Sequence, residues 1–273
     1  PRAADSSADA TRRGALTGAA ALLLAPTWAP DARAIVSGYD KDTGGYSYAV
    51  LAHETPSFVK WKAFFDEAWG EYGPPEFGVV RTVVLKGKGT ETRGDKVAVV
   101  IVFPNDKLNT VSAFYDQEAN PLWAQGRADG WLTGTFSQRF AEPLIWRGFP
   151  GDVGAPPSAG KAIALFETGL TIPFDDWLPS FTAPEVDLFH DKMGVIGSEA
   201  GLSLKGSDAG EGNLDVAHWF STYGQAARFC KDFNARTGEF AFIDTPDAPY
   251  KEPIAGTPYT IVDDIINFGA FDA

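Results

Sequence analysis

Histidine is the first place to look for acid–base chemistry near neutrality or for a metal, because its unperturbed pKa is about 6.5. The chain carries three, His53, His190 and His218. None stands in a His-x-x-x-His pair or beside a cysteine, so no metal site is written locally and none is predicted. In residues 214–220, strand alternation puts Val216, His218 and Phe220 on one face, with Ala217 and Trp219 on the other. His53 ends an earlier alternating stretch. These two histidines are the candidate catalytic residues of an enzymatic reading, in which one sheet face lines an enclosed space. The competing reading is a histidine satisfied beneath a covering element.

Other chemistry-bearing residues point elsewhere. Cys230 is the single cysteine, so no disulfide forms within the chain. Its helix-like surroundings read as a buried thiol rather than a nucleophile. Residues 87–94 are Gly-rich but lack the Gly-Lys-Ser/Thr order of a phosphate loop, and read as a hairpin. Asp175-Asp176 and Asp263-Asp264 are adjacent acids that diverge on a helix or a strand. The first pair reads as the cap of a helix carrying Trp177. No Gly-x-Ser-x-Gly elbow or dinucleotide fingerprint occurs.

The elements that would position these residues form one pattern written twice. An alternating strand (46–53) leads into a helix with Phe58, Trp61, Phe64, Phe65, Ala68 and Trp69 in its stripe. Strands at 77–88 and 97–103 follow, then a helix with Leu108, Val111, Phe114 and Tyr115 facing inward. The second copy reads as strand 162–168, helix 177–189, strands 195–205 and 214–221, and helix 223–237. Trp61 matches Trp177 and Phe65 matches Phe181, both 116 positions apart. Leu85-Lys86-Gly87 matches Leu204-Lys205-Gly206, Phe103 matches Phe220, and Phe114 matches Phe229, at offsets within a few residues of that. Closing strands near 131–140 and 239–244 would make each copy βαββαβ, the ferredoxin-like split. The fold class is therefore α+β, with a Gly/Pro-rich linker at 148–160. The chain divides into a segment 1–34, units 35–155 and 156–257, and a tail 258–273.

Phe58-Val-Lys-Trp-Lys-Ala-Phe-Phe-Asp and Val97-Ala-Val-Val-Ile-Val-Phe-Pro-Asn-Asp-Lys-Leu resemble the first helix, and the third strand with the start of the second helix, of the dimeric α/β barrels. That superfamily includes antibiotic-biosynthesis-monooxygenase-like domains. The resemblance implies two ferredoxin-like sheets paired into a barrel, which a tandem copy can build inside one chain. It also implies an interior where some relatives hold haem or a phenolic substrate.

Residues 11–34 resemble a twin-arginine export signal. Arg12-Arg13 is followed by Leu16, an uncharged apolar run to Ala25, and the small-x-small pattern Ala32-Arg33-Ala34. The run is shorter than the roughly 20 apolar residues that a bilayer core requires. No full transmembrane helix is expected, and a weak N-terminal tether is the only anchor left open. With the Ala/Ser-containing lead before the arginines, the segment fits the second part of a plastid presequence. The expected compartment is the thylakoid lumen, with a bacterial periplasm as the alternative.

The net charge is −13, and −14 without residues 1–34, which repels phosphate backbones and excludes nucleic acid as a partner. Trp123, Trp131 and Trp146 lie in irregular stretches, and Ile261, Ile265 and Phe268 in the apolar tail; they read as interface residues. Together these features lead to the expectation of a non-catalytic accessory or peripheral subunit, docked on the lumenal side of a photosynthetic membrane complex such as a photosystem. No cofactor is predicted for it, with haem or pigment contact left open. The alternative is a cofactor-independent monooxygenase or haem-binding protein of the barrel type.

Overall fold

The computed structural model describes residues 45–266 apart from 70–72, 90–93, 117–120, 148–159 and 209. Arg12, Arg13, Leu16, Ala32, Ala34 and Phe268 lie outside the described residues, as does most of the linker.

The first unit runs β1 (Tyr46–Thr55), α1 (Phe58–Trp69), β2 (Arg81–Gly87), β3 (Asp95–Pro104), α2 (Leu108–Phe114), α3 (Pro121–Ala128) and β4 (Thr133–Arg147). The second runs β5 (Ala162–Leu170), α4 (Phe174–Phe181), α5 (Pro184–Met193), β6 (Val195–Ser203), β7 (Leu214–Phe220), α6 (Tyr223–Asn234) and β8 (Tyr250–Ile266). Local chemistry sets several boundaries. Ser57 and Thr222 accept hydrogen bonds from Lys60 N and Gln225 N, as N-caps of α1 and α6. Gly194 ends α5 in the left-handed conformation at φ 80°. The single helix expected over 177–189 is two, because Pro184 cannot continue α4 and instead starts α5. Asp175 and Asp176 stand in the first turn of α4, where they complement the helix dipole; the cap itself is Pro173.

Among the described residues, eight strands close into one antiparallel barrel in the order β1-β3-β2-β8-β5-β7-β6-β4. Each unit contributes a ferredoxin-like sheet (4-1-3-2 and 8-5-7-6). The two seams are equivalent: β2 of the first unit pairs with β8 of the second, and β6 of the second with β4 of the first. At the β4–β6 seam the strands press so close that a Cβ on Gly201 would lie 2.0 Å from the Glu142 carbonyl oxygen. Equivalent registers superpose the units, with Ser47 paired to Phe103 as Ala162 is to Phe220. Phe103 and Phe220 therefore correspond. By the same pairing Leu85, opposite Ala98, corresponds to Gly201, opposite Asp215, and Leu204 lies beyond the strand end.

Both faces of the sheet are covered. The outer face carries one helix layer per unit, built around Trp61, Phe77, Phe103 and Phe140 in the first and Trp177, Phe220, Phe229 and Phe240 in the second. The inner face holds Tyr48, Val50, Val83, Leu85, Val100, Leu165, Trp219 and Tyr259. Residues 239–244 are not the closing strand; they belong to a 3-10 helix, Gly238–Asp244. The strand comes from β8, so the expected tail 258–273 is, as far as Ile266, the outer half of that strand. Ile261 pairs with Leu85 and Ile265 with Thr82, inside a seam rather than on a docking surface.

Candidate active site in the barrel interior

The histidines are not in the interior. Because Val216, His218 and Phe220 face the helix layer, His218 is enclosed by Phe166, Phe181, His190 and Phe229, and its Nδ1 lies 2.8 Å from Ser198 Oγ. The equivalent place in the first unit also holds a hydroxyl bonded to a ring nitrogen: Trp69 Nε1 donates to Thr82 Oγ1 at 3.3 Å. His53 faces the other helix layer, against Trp61 and Phe136. Burial pushes its pKa down to about 3. The two histidines thus sit under separate helix layers. Trp123 packs on Phe136 and Tyr115, and Trp131 stacks on Phe64, both within the first unit's layer. Trp146 pairs through its backbone with Glu199.

The interior instead gathers residues that strand alternation places on the inner face. Glu167 on β5 stands directly opposite Asp215 on β7, and Glu199 on β6 is diagonal to Asp215. From the first unit, Arg139 on β4 brings Nη1 to 3.3 Å from Asp215 Oδ2 and 3.8 Å from Glu167 Oε2. Tyr48 on β1 donates to Asp215 Oδ1 at 2.5 Å. At the far end of the barrel Arg81 makes a bidentate pair with Asp264 at 2.7 and 2.9 Å. Asp263 faces the other way and pairs with Lys62 of α1.

Position for position, Ala52, Val83 and Ala98 stand in the first unit where Glu167, Glu199 and Asp215 stand in the second. The duplicated fold thus carries one charged site, its acids from one half and its cations from the other. Burial raises the Glu167 carboxyl; Arg139 opposes and Asp215 adds to the rise, leaving its pKa at about 7. Burial, then the Asp215 charge, lift Glu199 to about 8 against the pull of Arg81. Burial works against the charge on Arg139, but Asp215 and Glu167 more than restore it, so it stays a cation. Tyr259 is pushed by burial up to about 12 and remains a phenol.

A cavity of about 220 Å³ opens between the facing walls β1/β4 and β5/β8. Val50, Ala52 and Leu165 supply its apolar lining, and Arg139, Glu167 and Tyr259 its polar lining. A near-neutral carboxyl beside a fixed guanidinium, on the wall of a partly open and partly apolar cavity, can take a proton from a bound molecule and stabilise the anion left behind.

Neither a protein-family model nor a curated protein matches the sequence. Solved structures do. An anthrone oxidase-like protein is 11% identical with a TM-score of 0.59, the match covering 83% of this chain and 95% of that one. A putative monooxygenase from Fusobacterium nucleatum is 11% identical at a TM-score of 0.49, over 81% and 94% of the two chains. A ferredoxin-fold protein from Listeria monocytogenes, related to antibiotic biosynthesis monooxygenases, is 8% identical at 0.40, over 80% and 96%. The fold is that of the dimeric α/β barrels. This corrects the expectation of a non-catalytic photosystem subunit: the structure that shares the fold at a TM-score of 0.59 is described as an anthrone oxidase-like protein. The segment reserved for docking is, to Ile266, a barrel strand.

The haem alternative does not fit the described residues. All three histidines are buried under the helix layers. The interior cavity is also smaller than the roughly 300–1,000 Å³ of pockets for drug-sized ligands, and a haem is larger still.

The site residues Tyr48, Arg139, Glu167, Glu199 and Asp215 are absent from the sequence reading. The signal that points to the three acids is a lone carboxyl within an otherwise uncharged strand, on the face opposite the helix-covered aromatic positions; Tyr48 and Arg139 carry no such mark.

Proposed function

We propose that the barrel interior is the active site of a cofactor-independent oxygenase that acts on a small phenolic or anthrone-like ring. The observation that carries this reading is Glu167, with a carboxyl that titrates near 7, beside Arg139 on the wall of a partly apolar cavity. The name of the anthrone oxidase-like protein with the same fold supports the reaction class.

Such a reaction needs a base and a place for negative charge. Glu167 removes a proton from the ring's acidic CH2 or OH, and Arg139 pairs with the oxyanion that forms. The electron-rich anion then reduces O2 directly. For a ring CH2, one oxygen atom becomes the new carbonyl, and the other leaves as water with the two hydrogens. A dry cavity of about 150 Å³ holds one benzene. The 220 Å³ here therefore suits one or two rings bearing hydroxyls, and because the cavity is partly open the remaining ring of an anthrone stays at its mouth.

The test is oxygen uptake by the purified protein with hydroquinones, naphthols and anthrone, followed by mass spectrometry under 18O2. One labelled oxygen in the product is expected, with uptake abolished in Glu167→Gln and preserved in His218→Phe. Absence of uptake and of binding across the panel, or an E167Q variant as fast as wild type, overturns the reading.

A further inference from the structure

One guanidinium nitrogen serves two carboxyls in this site. Arg139 Nη1 is 3.3 Å from Asp215 and 3.8 Å from Glu167, and these two acids face each other across β5 and β7. Side chains directly opposite in an antiparallel pair have Cβ atoms about 4.5–5.5 Å apart. Their engagement differs. Asp215 is fully buried, with one oxygen taken by the Tyr48 hydroxyl and the other turned to Arg139. Glu167 is less enclosed, and its Oε1 accepts only a long bond of 3.5 Å from Ser203.

We propose that Asp215 is a positioning residue of this site: it is the fixed anion that holds Arg139 and Tyr48 in place against Glu167, and the two carboxyls share a single proton, carried on Glu167. The proposal rests on the reading of Glu167 as the base. A single cation neutralises a single carboxylate, and two like charges this close cannot both ionise freely. Burial raises the Asp215 carboxyl, and Arg139 and the hydrogen bond from Tyr48 oppose that rise. Because the guanidinium lies closer to Asp215 than to Glu167 and only Asp215 has the Tyr48 donor, Asp215 keeps the charge and the proton falls to Glu167. The direction in which Asp215 pushes the Glu167 carboxyl agrees with this.

Every wall of the barrel fits the arrangement. Around Asp215 stand Tyr48 from β1, Arg139 from β4, Glu167 from β5 and Glu199 from β6. Tyr259 from β8 faces Arg139, Arg81 from β2 lies beyond Glu199, and Asp208 from the β6–β7 loop lies beside Glu167. The inner face of β3 offers Ala98, Val100 and Val102, with no charge.

The experiment is a titration of the Glu167 carboxyl by 13C NMR on full-length protein, with the signal assigned by its loss in E167Q. Wild type should titrate near pH 7. Asp215→Asn keeps an acceptor for Tyr48 but removes the charge, and should lower the Glu167 midpoint by about one unit or more. Arg139→Gln should move it upward, and serves as the second variant should D215N fail to fold. An unchanged midpoint in either variant overturns the proposal. Because the readout needs no turnover, it separates the two ideas. A shifted midpoint with an active E167Q upholds the shared proton and removes the oxygenase base, whereas an inactive E167Q with an unmoved midpoint does the reverse.

Discussion

Tyr48 of the first unit and Asp215 of the second, 167 positions apart in the chain, meet inside the barrel through a 2.5 Å hydrogen bond. The bond ties the halves together at the point where the acids of one face the cations of the other. Removing the donor leaves an oxygen of a fully buried carboxylate without its partner. Tyr48→Phe should cost about 1–3 kcal/mol of stability. Thermal or denaturant unfolding measures this, and a variant as stable as wild type would show that the bond adds nothing net.

Turnover should follow the ionisation of Glu167. The base works deprotonated, so the rate should rise with pH through about 7 and level off above it. Glu167→Gln should lower the catalytic rate by roughly 10²–10⁴ and leave binding of a product analogue little changed. A pH–rate profile that is flat between 5 and 9 would argue against Glu167 as the base.

Two groups shape stability in opposite directions with pH. His53 has its folded pKa lowered to about 3, so its contribution is complete above the unfolded value near 6.5 and is lost as pH falls from there toward 3. The span corresponds to roughly 4 to 5 kcal/mol. Both ring nitrogens of this buried residue lack a hydrogen-bond partner among the described residues. His53→Phe should therefore remove much of the acid-side loss and raise the melting temperature at pH 5.

Glu199 works the other way. Its folded pKa is raised to about 8, so its contribution is complete below the unfolded value near 4.5 and is lost as pH rises through 8. Glu199→Val installs the side chain that Val83 holds in the first unit. It should raise the melting temperature at pH 9 more than at pH 5; equal shifts would show that Glu199 is not the group responsible.

For residues 1–34 we propose export of the folded protein through the twin-arginine route, motivated by Arg12-Arg13, Leu16 and Ala32-x-Ala34. A reporter fused after residue 34 should be exported and cut after Ala34, and Arg12→Lys with Arg13→Lys should block this. Export unaffected by the double change would discard the reading.

The repeat was legible because its markers are core aromatics. Trp61 and Trp177 sit deep in equivalent helix layers, as do Phe103 and Phe220 at the ends of equivalent strands. The alternation around His218 was legible too, but not which face turns inward, since a closed barrel with helices outside buries both faces. With the inward face unmarked, the sequence singles out His218 rather than Asp215, three residues earlier in the same strand. The last strand was misplaced for a different reason. Residues 239–244 have strand-like composition, but β8 is defined by its partners β2 and β5, one of which belongs to the other unit. Pairing across a seam leaves no local mark.

The position of β8 also decides when the cavity comes into existence. The strand is the last of the described elements to be synthesised, yet it bonds to both units and brings Ala255, Thr257 and Tyr259 to the cavity wall. Until it emerges, Arg139 and Glu167 have no enclosing wall, and β2 has a bare edge. The cavity wall, the seam to β2 and the cover over the free edge of β5 therefore all depend on this one strand, and none of them forms before it is in place.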